Sequence, residues 1–203
     1  MGVDQHDDYS IHINQELYVK KLVDKFVPGK KREVRTNPCK AHSFQKLGPA
    51  KTDLEREKTS RLPYLQLIGS LLYYLSCMTR PDIAYHMAIL CSCMHDPTVE
   101  AYTAALDLLL YVHHTSHSHL NFTGLCEAPQ GVPPSHRDAV SQSNGMVMYS
   151  DASWHKPDKL GYNMFGYVLY LYGGPVSFAA KKLKVVALSS AEAEYAAVLA
   201  WHR

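Results

Sequence analysis

The sequence predicts an α+β chain: a mostly helical region over residues 1–125, a linker over 126–144, and a unit of antiparallel β meander plus one helix over 145–203. Three observations carry this. Apolar residues recur at three- and four-residue steps through Tyr64, Leu67, Ile68, Leu71, Leu72, Leu75 and Met78, the stripe of an amphipathic helix. The stretch from Cys126 to Asn144 sets Pro129, Gly131, Pro133 and Pro134 among Ser and Gln with no apolar period, which reads as a flexible domain boundary. Beyond it the texture changes to short β-rich runs separated by glycines.

In chain order, Tyr9 to Ile13 alternates as a strand does, and Leu17, Val19, Leu22, Val23 and Phe26 then recur at helical spacing until Pro28-Gly29 halts them. Lys30 to Arg61 is charged and shows no sustained period, so little regular structure is expected there. After the Tyr64–Met78 helix, Thr79-Arg80-Pro81-Asp82 punctuates the chain. Pro81 suits a new helix start, because first-turn amides have no intrahelical acceptor, and that second helix should run to about Cys93. Thr98 is the expected N-cap of a third helix whose buried side carries Tyr102, Ala105, Leu106, Leu109 and Leu110. Past the linker, Met146–Tyr149, Phe165–Tyr172 and Pro175–Phe178 form the meander, and a last helix begins at Ser189-Ser190.

Composition sets limits on function without choosing one. With 203 residues, 46% of them hydrophobic, the chain can bury one or two cores. A net charge of +2 neither requires nor excludes nucleic acid, so any such site must be local. The five cysteines, at 39, 77, 91, 93 and 126, make no Cys-x-x-Cys pair and no even-numbered framework, which predicts reduced thiols in a reducing compartment. The start Met1-Gly2-Val3-Asp4 lacks the order of a signal peptide, no apolar run is long enough to span a bilayer, and His6 stands where a myristoylation start needs Ser or Thr. A soluble intracellular chain with no membrane partner is the expectation.

Four stretches, in register and covering nearly the whole chain, resemble the Ty1/copia family of retrotransposon polyproteins. They are Gly2-Val3 with Ile11-His12-Ile13-Asn14-Gln15 and Tyr18-Val19; Tyr64-Leu65-Gln66-Leu67-Ile68-Gly69-Ser70 with Thr79-Arg80-Pro81-Asp82-Ile83-Ala84; Tyr149-Ser150-Asp151-Ala152-Ser153-Trp154 with Gly173-Gly174-Pro175-Val176-Ser177 and Lys181-Lys182; and Ala187-Leu188-Ser189-Ser190-Ala191-Glu192-Ala193-Glu194-Tyr195. The resemblance implies a reverse transcriptase C-terminal and connection region over 1–125 and an incomplete RNase H-like domain over 145–203. It implies a parent that copies RNA into DNA and cleaves RNA–DNA hybrids, in a cytoplasmic particle or the nucleus. The chain departs from the family at three places. No Tyr-x-Asp-Asp occurs, so polymerase aspartates lie upstream or are lost; Ser153 replaces a second acidic residue; and His113-His114-Thr115-Ser116-His117 replaces a Lys-Gly-Thr turn. A divergent or decaying copy is expected.

RNase H chemistry uses two divalent ions, and Mg²⁺, a hard ion, needs carboxylate oxygens. The resemblance implies Asp151 as the first ligand, and strand alternation places Val147, Tyr149 and Asp151 on one face. Read bare, an Asp at the end of a β-run is a turn former. The second ligand comes from Glu192 or Glu194. Ser189-x-x-Glu192 fits a capping box, which occupies Glu192 and favours Glu194, although both also suit the positive end of a helix dipole. A third family carboxylate lies beyond the helix and is not reached by Arg203, so the isolated chain is expected to be inactive, its magnesium site weak or absent.

Other candidates have plainer readings. Lys181, Lys182 and Lys184 suit phosphate contacts to nucleic acid or a solvated turn, and Lys30, Lys31 and Arg32 stand beside Glu33. His113, His114, His117 and His119 suggest zinc, with His113 and His117 on one helical face, but no cysteine or carboxylate has zinc-site spacing. Cys91-x-Cys93 points to two faces of its helix and reads as packing, and Asn121-Phe122-Thr123 is a glycosylation triplet that a reducing-compartment protein does not use. The competing functional class is a non-catalytic structural or interaction protein derived from a retroelement.

Overall fold

A computed structural model describes residues 1–29, 34–38, 47–76, 79–124, 146–153, 163–183 and 187–200. The linker expected at 126–144, Lys30 to Arg32, Lys184, Trp154 and Cys39, Cys77 and Cys126 lie outside these. The described residues form an α+β structure: strands β1 (Gly2–Gln5) and β2 (Ile11–Asn14); helices α1 (Glu16–Phe26), α2 (Asp53–Ser60), α3 (Tyr64–Ser76), α4 (Ala84–Ser92) and α5 (Val99–His114); strand β3 (Leu120–Phe122); strands β4 (Val147–Ala152), β5 (Met164–Leu171) and β6 (Gly174–Lys182); and helix α6 (Ser190–Ala200). No helix among them is long and apolar enough to cross a membrane.

The helical core is built from α1, α3, α4 and α5. Val19, Leu22, Val23 and Phe26 of α1 share one core with Leu67, Ile68 and Leu71 of α3, Met87 and Leu90 of α4, and Leu108, Leu109 and Val112 of α5. Each such side chain removed from water contributes about 1.5–3 kcal/mol. The apolar stripes are rotated slightly from the sequence reading. Leu17 and Leu72 are exposed and Tyr74 is buried instead, while Ala101, Ala104 and Ala105 set the deep face of α5 and Tyr102, Leu106 and Leu110 pack at its flank. Small residues there let the neighbouring helix approach closely, which period alone does not reveal. The buried Tyr64 hydroxyl donates to the Leu90 carbonyl at 2.8 Å, and the half-buried Tyr18 hydroxyl to the Ser70 carbonyl at 3.0 Å.

Thr79-Arg80-Pro81-Asp82 works as a tie between two helices. Pro81–Ile83 makes one turn of 3-10 helix leading into α4. The buried Arg80 guanidinium donates to both Asp82 oxygens at 2.8 and 2.6 Å, to the Val112 and Thr115 carbonyls at 3.3 and 3.2 Å, and to the Thr115 hydroxyl at 2.7 Å. A cation thus meets the end of α5, where unpaired carbonyls gather. The Tyr111 hydroxyl adds a 2.7 Å bond to Asp82. Thr98 caps α5 as expected, accepting from the Ala101 amide at 3.1 Å.

Three elements went unread in the sequence. Helix α2 lies inside the stretch expected to be irregular, held by a capping box between Thr52 and Glu55. Strands β1 and β3 flank β2 in an antiparallel sheet of order β1-β2-β3. The second sheet, β4-β5-β6, is the expected meander, with β5 central and antiparallel to both neighbours. Tyr172 and Gly173 turn β5 into β6 with φ of 48° and 78°, the two positive values a tight hairpin requires.

Candidate functional site

Asp151 stands near the end of β4, paired across to Gly166 of β5, with its side chain exposed. Alternation fixes its side of the sheet. The next residue, Ala152, packs with Phe165, Ala193 and Ala197, so the face carrying Ala152 is the one that α6 covers. Asp151 therefore projects from the other face, where with Tyr149, Gly166, Val168, Ala180 and, from α4, Tyr85 it lines an open groove of about 550 Å³.

Glu192 and Glu194 lie on the solvent side of α6, since Ala193 and Ala197 are the positions turned to the sheet. The start of α6 explains Glu192. Its amide donates to the Ser189 hydroxyl oxygen at 3.1 Å, and its carboxylate accepts from the Leu188 amide at 2.8 Å, a capping arrangement shifted one residue outward. Glu194 has no such bond among the described residues. The structure thus brings Asp151 and Glu194 to one half of the molecule, on a strand and on the helix packed against that strand's opposite face. Two hard carboxylates suit Mg²⁺ chemically. Among the described residues, no group of three or more His, Cys, Asp or Glu comes together to hold an ion.

Ser153 joins the ladder. Its hydroxyl accepts from the Met164 amide at 2.9 Å while its own amide donates to the Met164 carbonyl at 2.8 Å. The lysines divide: Lys181 is exposed and opposite Phe165, whereas Lys182 pairs with Met164 on the reverse face, close enough to Cys93, the residue that follows α4, to favour its thiolate. Burial outweighs that effect and pushes the Cys93 thiol up, as it does the Cys91 thiol; both are free. Helix α5 ends at His114, so His117 leaves the face that His113 shares. His119 instead stacks on His12, a meeting of residues far apart in sequence that no local spacing signals.

Comparison with known proteins gives the chain its relatives. Over 187 residues, 91% of its length, the chain is 28% identical to the retrovirus-related Pol polyprotein from transposon TNT 1-94 of Nicotiana tabacum. Over 144 residues, 69% of its length, it is 35% identical to the retrovirus-related Pol polyprotein from transposon RE1 of Arabidopsis thaliana. The chain belongs to the Ty1/copia-type retrotransposon Pol polyproteins. It spans 13% and 8% of the length of those two polyproteins. A 34% identical stretch of 137 residues, 68% of the chain, also covers 84% of secreted RxLR effector protein 161 of Plasmopara viticola. No family model and no solved structure matches the chain. Within the Ty1/copia-type chain, the Thr79–Asp82 signature is now seen as the Arg80 tie between α4 and α5, a structural role that the motif itself did not disclose.

Proposed function

We propose that this chain is the passage of a Ty1/copia-type Pol polyprotein from the C-terminal helices of a reverse transcriptase into an RNase H-like unit, and that by itself it does not cleave RNA–DNA hybrids. In this reading α1 and α3–α5 belong to the connection region, β4-β5-β6 with α6 to the RNase H-like unit, and Asp151 and Glu194 descend from its metal-binding carboxylates. The parent synthesises DNA on an RNA template and degrades the hybrid with magnesium.

One observation supports the inactive assignment: Asp151 projects from the face of β4 opposite the one on which α6, the helix of Glu194, is packed. In-line displacement between two ions needs its ligands held around one point, and misplacement by an ångström costs orders of magnitude in rate. The test is direct. The 203-residue chain is incubated with Mg²⁺ and an end-labelled RNA–DNA hybrid, and no fragments are expected. Release of fragments that stops on Asp151→Asn would overturn the reading.

A further inference from the structure

Three imidazoles from three separate stretches meet on the polar face of the N-terminal sheet. His12 sits in the central strand β2, His6 in the turn before it, and His119 just ahead of β3. His6 Nε2 lies 2.9 Å from His12 Nδ1, with ring centroids 4.2 Å apart. The rings of His12 and His119 stack at 4.0 Å and 23°. A bond between two imidazole nitrogens needs one N–H and one lone pair, so His6 and His12 cannot both carry the extra proton while it stands.

The surrounding charges are mixed. Asp4, the cross-strand partner of His12 on β1, and Asp8 in the turn favour the imidazolium; His119 and His6 oppose it, and Asn121 opposite on β3 is uncharged. Partial burial and the two neighbouring rings prevail, holding His12 below the ordinary histidine range. The three rings lie side by side rather than around a point, and among the described residues no such group is arranged for a metal ion. The ligand that this arrangement discriminates is the proton.

We propose that His6, His12 and His119 form a proton-sensitive clasp, which fastens the β1–β2 turn and β3 to the central strand while His12 is neutral and releases them on acidification. The release reaches further than the sheet, because β3 carries Phe122, which rests on Gly174 of β6. With the native titration of His12 depressed, the clasp contributes fully above the ordinary value of 6.5, and that contribution is lost as pH falls from there through the native value. The effect on the folding equilibrium is at most ~10-fold for each pH unit separating the native and unfolded titrations.

The full chain, labelled at its histidine rings, is titrated by NMR in the presence of a chelator from about pH 8 to about pH 5, with amide exchange followed at Ile11, Ile13 and Leu120. His12 is expected to titrate below 6.5, with β2–β3 protection falling over the same interval and the dependence vanishing in His12→Gln. Titration of His12 at or above 6.5, or protection indifferent to pH, overturns the clasp. Should His12→Gln fail to fold, His119→Gln decides: removing that exposed ring must raise the His12 titration, and an unmoved value overturns the proposal.

Discussion

The ring of Phe122 in β3 fills the space in which a side chain on Gly174 of β6 would begin. The two sheets therefore meet at a backbone notch. Gly174→Ala must push the ring or the strand aside, and a loss of about 1–3 kcal/mol in urea unfolding is expected. Phe122→Ala in the same chain should relieve part of it, so the double variant loses less than the sum of the singles. Strict additivity would show that the contact does not couple the sheets.

The tie at Arg80 gives a second expectation. Asp82 is partly buried, which raises its carboxyl titration, but the Arg80 guanidinium and the Tyr111 hydroxyl outweigh this and hold it below 3.8. Its contribution to stability is therefore present above that value and lost as pH falls through the native one. Asp82→Asn should flatten the acid limb of the stability curve. Asp82→Ala should cost about 1–3 kcal/mol, less than a fully buried pair because the carboxylate is 39% exposed and Arg80 keeps its carbonyl partners.

Asp151 is exposed and has no ion pair among the described residues. Asp151→Asn should leave the unfolding midpoint within about 0.5 kcal/mol of the parent chain. A larger change in either direction would mean that the carboxylate is engaged in the fold.

Helix starts supply a fourth test. Thr98→Ala removes the acceptor of the Ala101 amide and should cost about 1 kcal/mol of global stability. Ser189→Ala, at the start of α6, should act locally, raising amide exchange at Glu192 and Ala193 more than it shifts the midpoint.

What could be read from the sequence followed the range of the interactions. The stripe through Tyr64, Leu67, Ile68 and Leu71 and the alternation of β4 to β6 are local patterns, and both gave their elements directly. Helix α2 was missed because it buries little beyond Thr59, yet Thr52-x-x-Glu55 is the same capping signature that marked Ser189 and Glu192. Strand β3 is three residues long and exists through its pairing with Ile11, His12 and Ile13, more than a hundred positions earlier. At the candidate site, alternation put Asp151 on the face of Tyr149, but which face α6 covers depends on Ala152, Phe165 and Ala197 meeting in three dimensions. The histidines weighed together as neighbours at 113 to 119 gave up one member, His119, to a partner in β2.

Among the described residues, strand β5 is hydrogen-bonded along both edges, whereas β4 is paired along one. As this half of the molecule breathes, deuterium will enter β4 from its free side first and Val168 and Leu169 last. Sequence drift should follow the same gradient, with the outer edge of β4 absorbing changes that the central strand cannot.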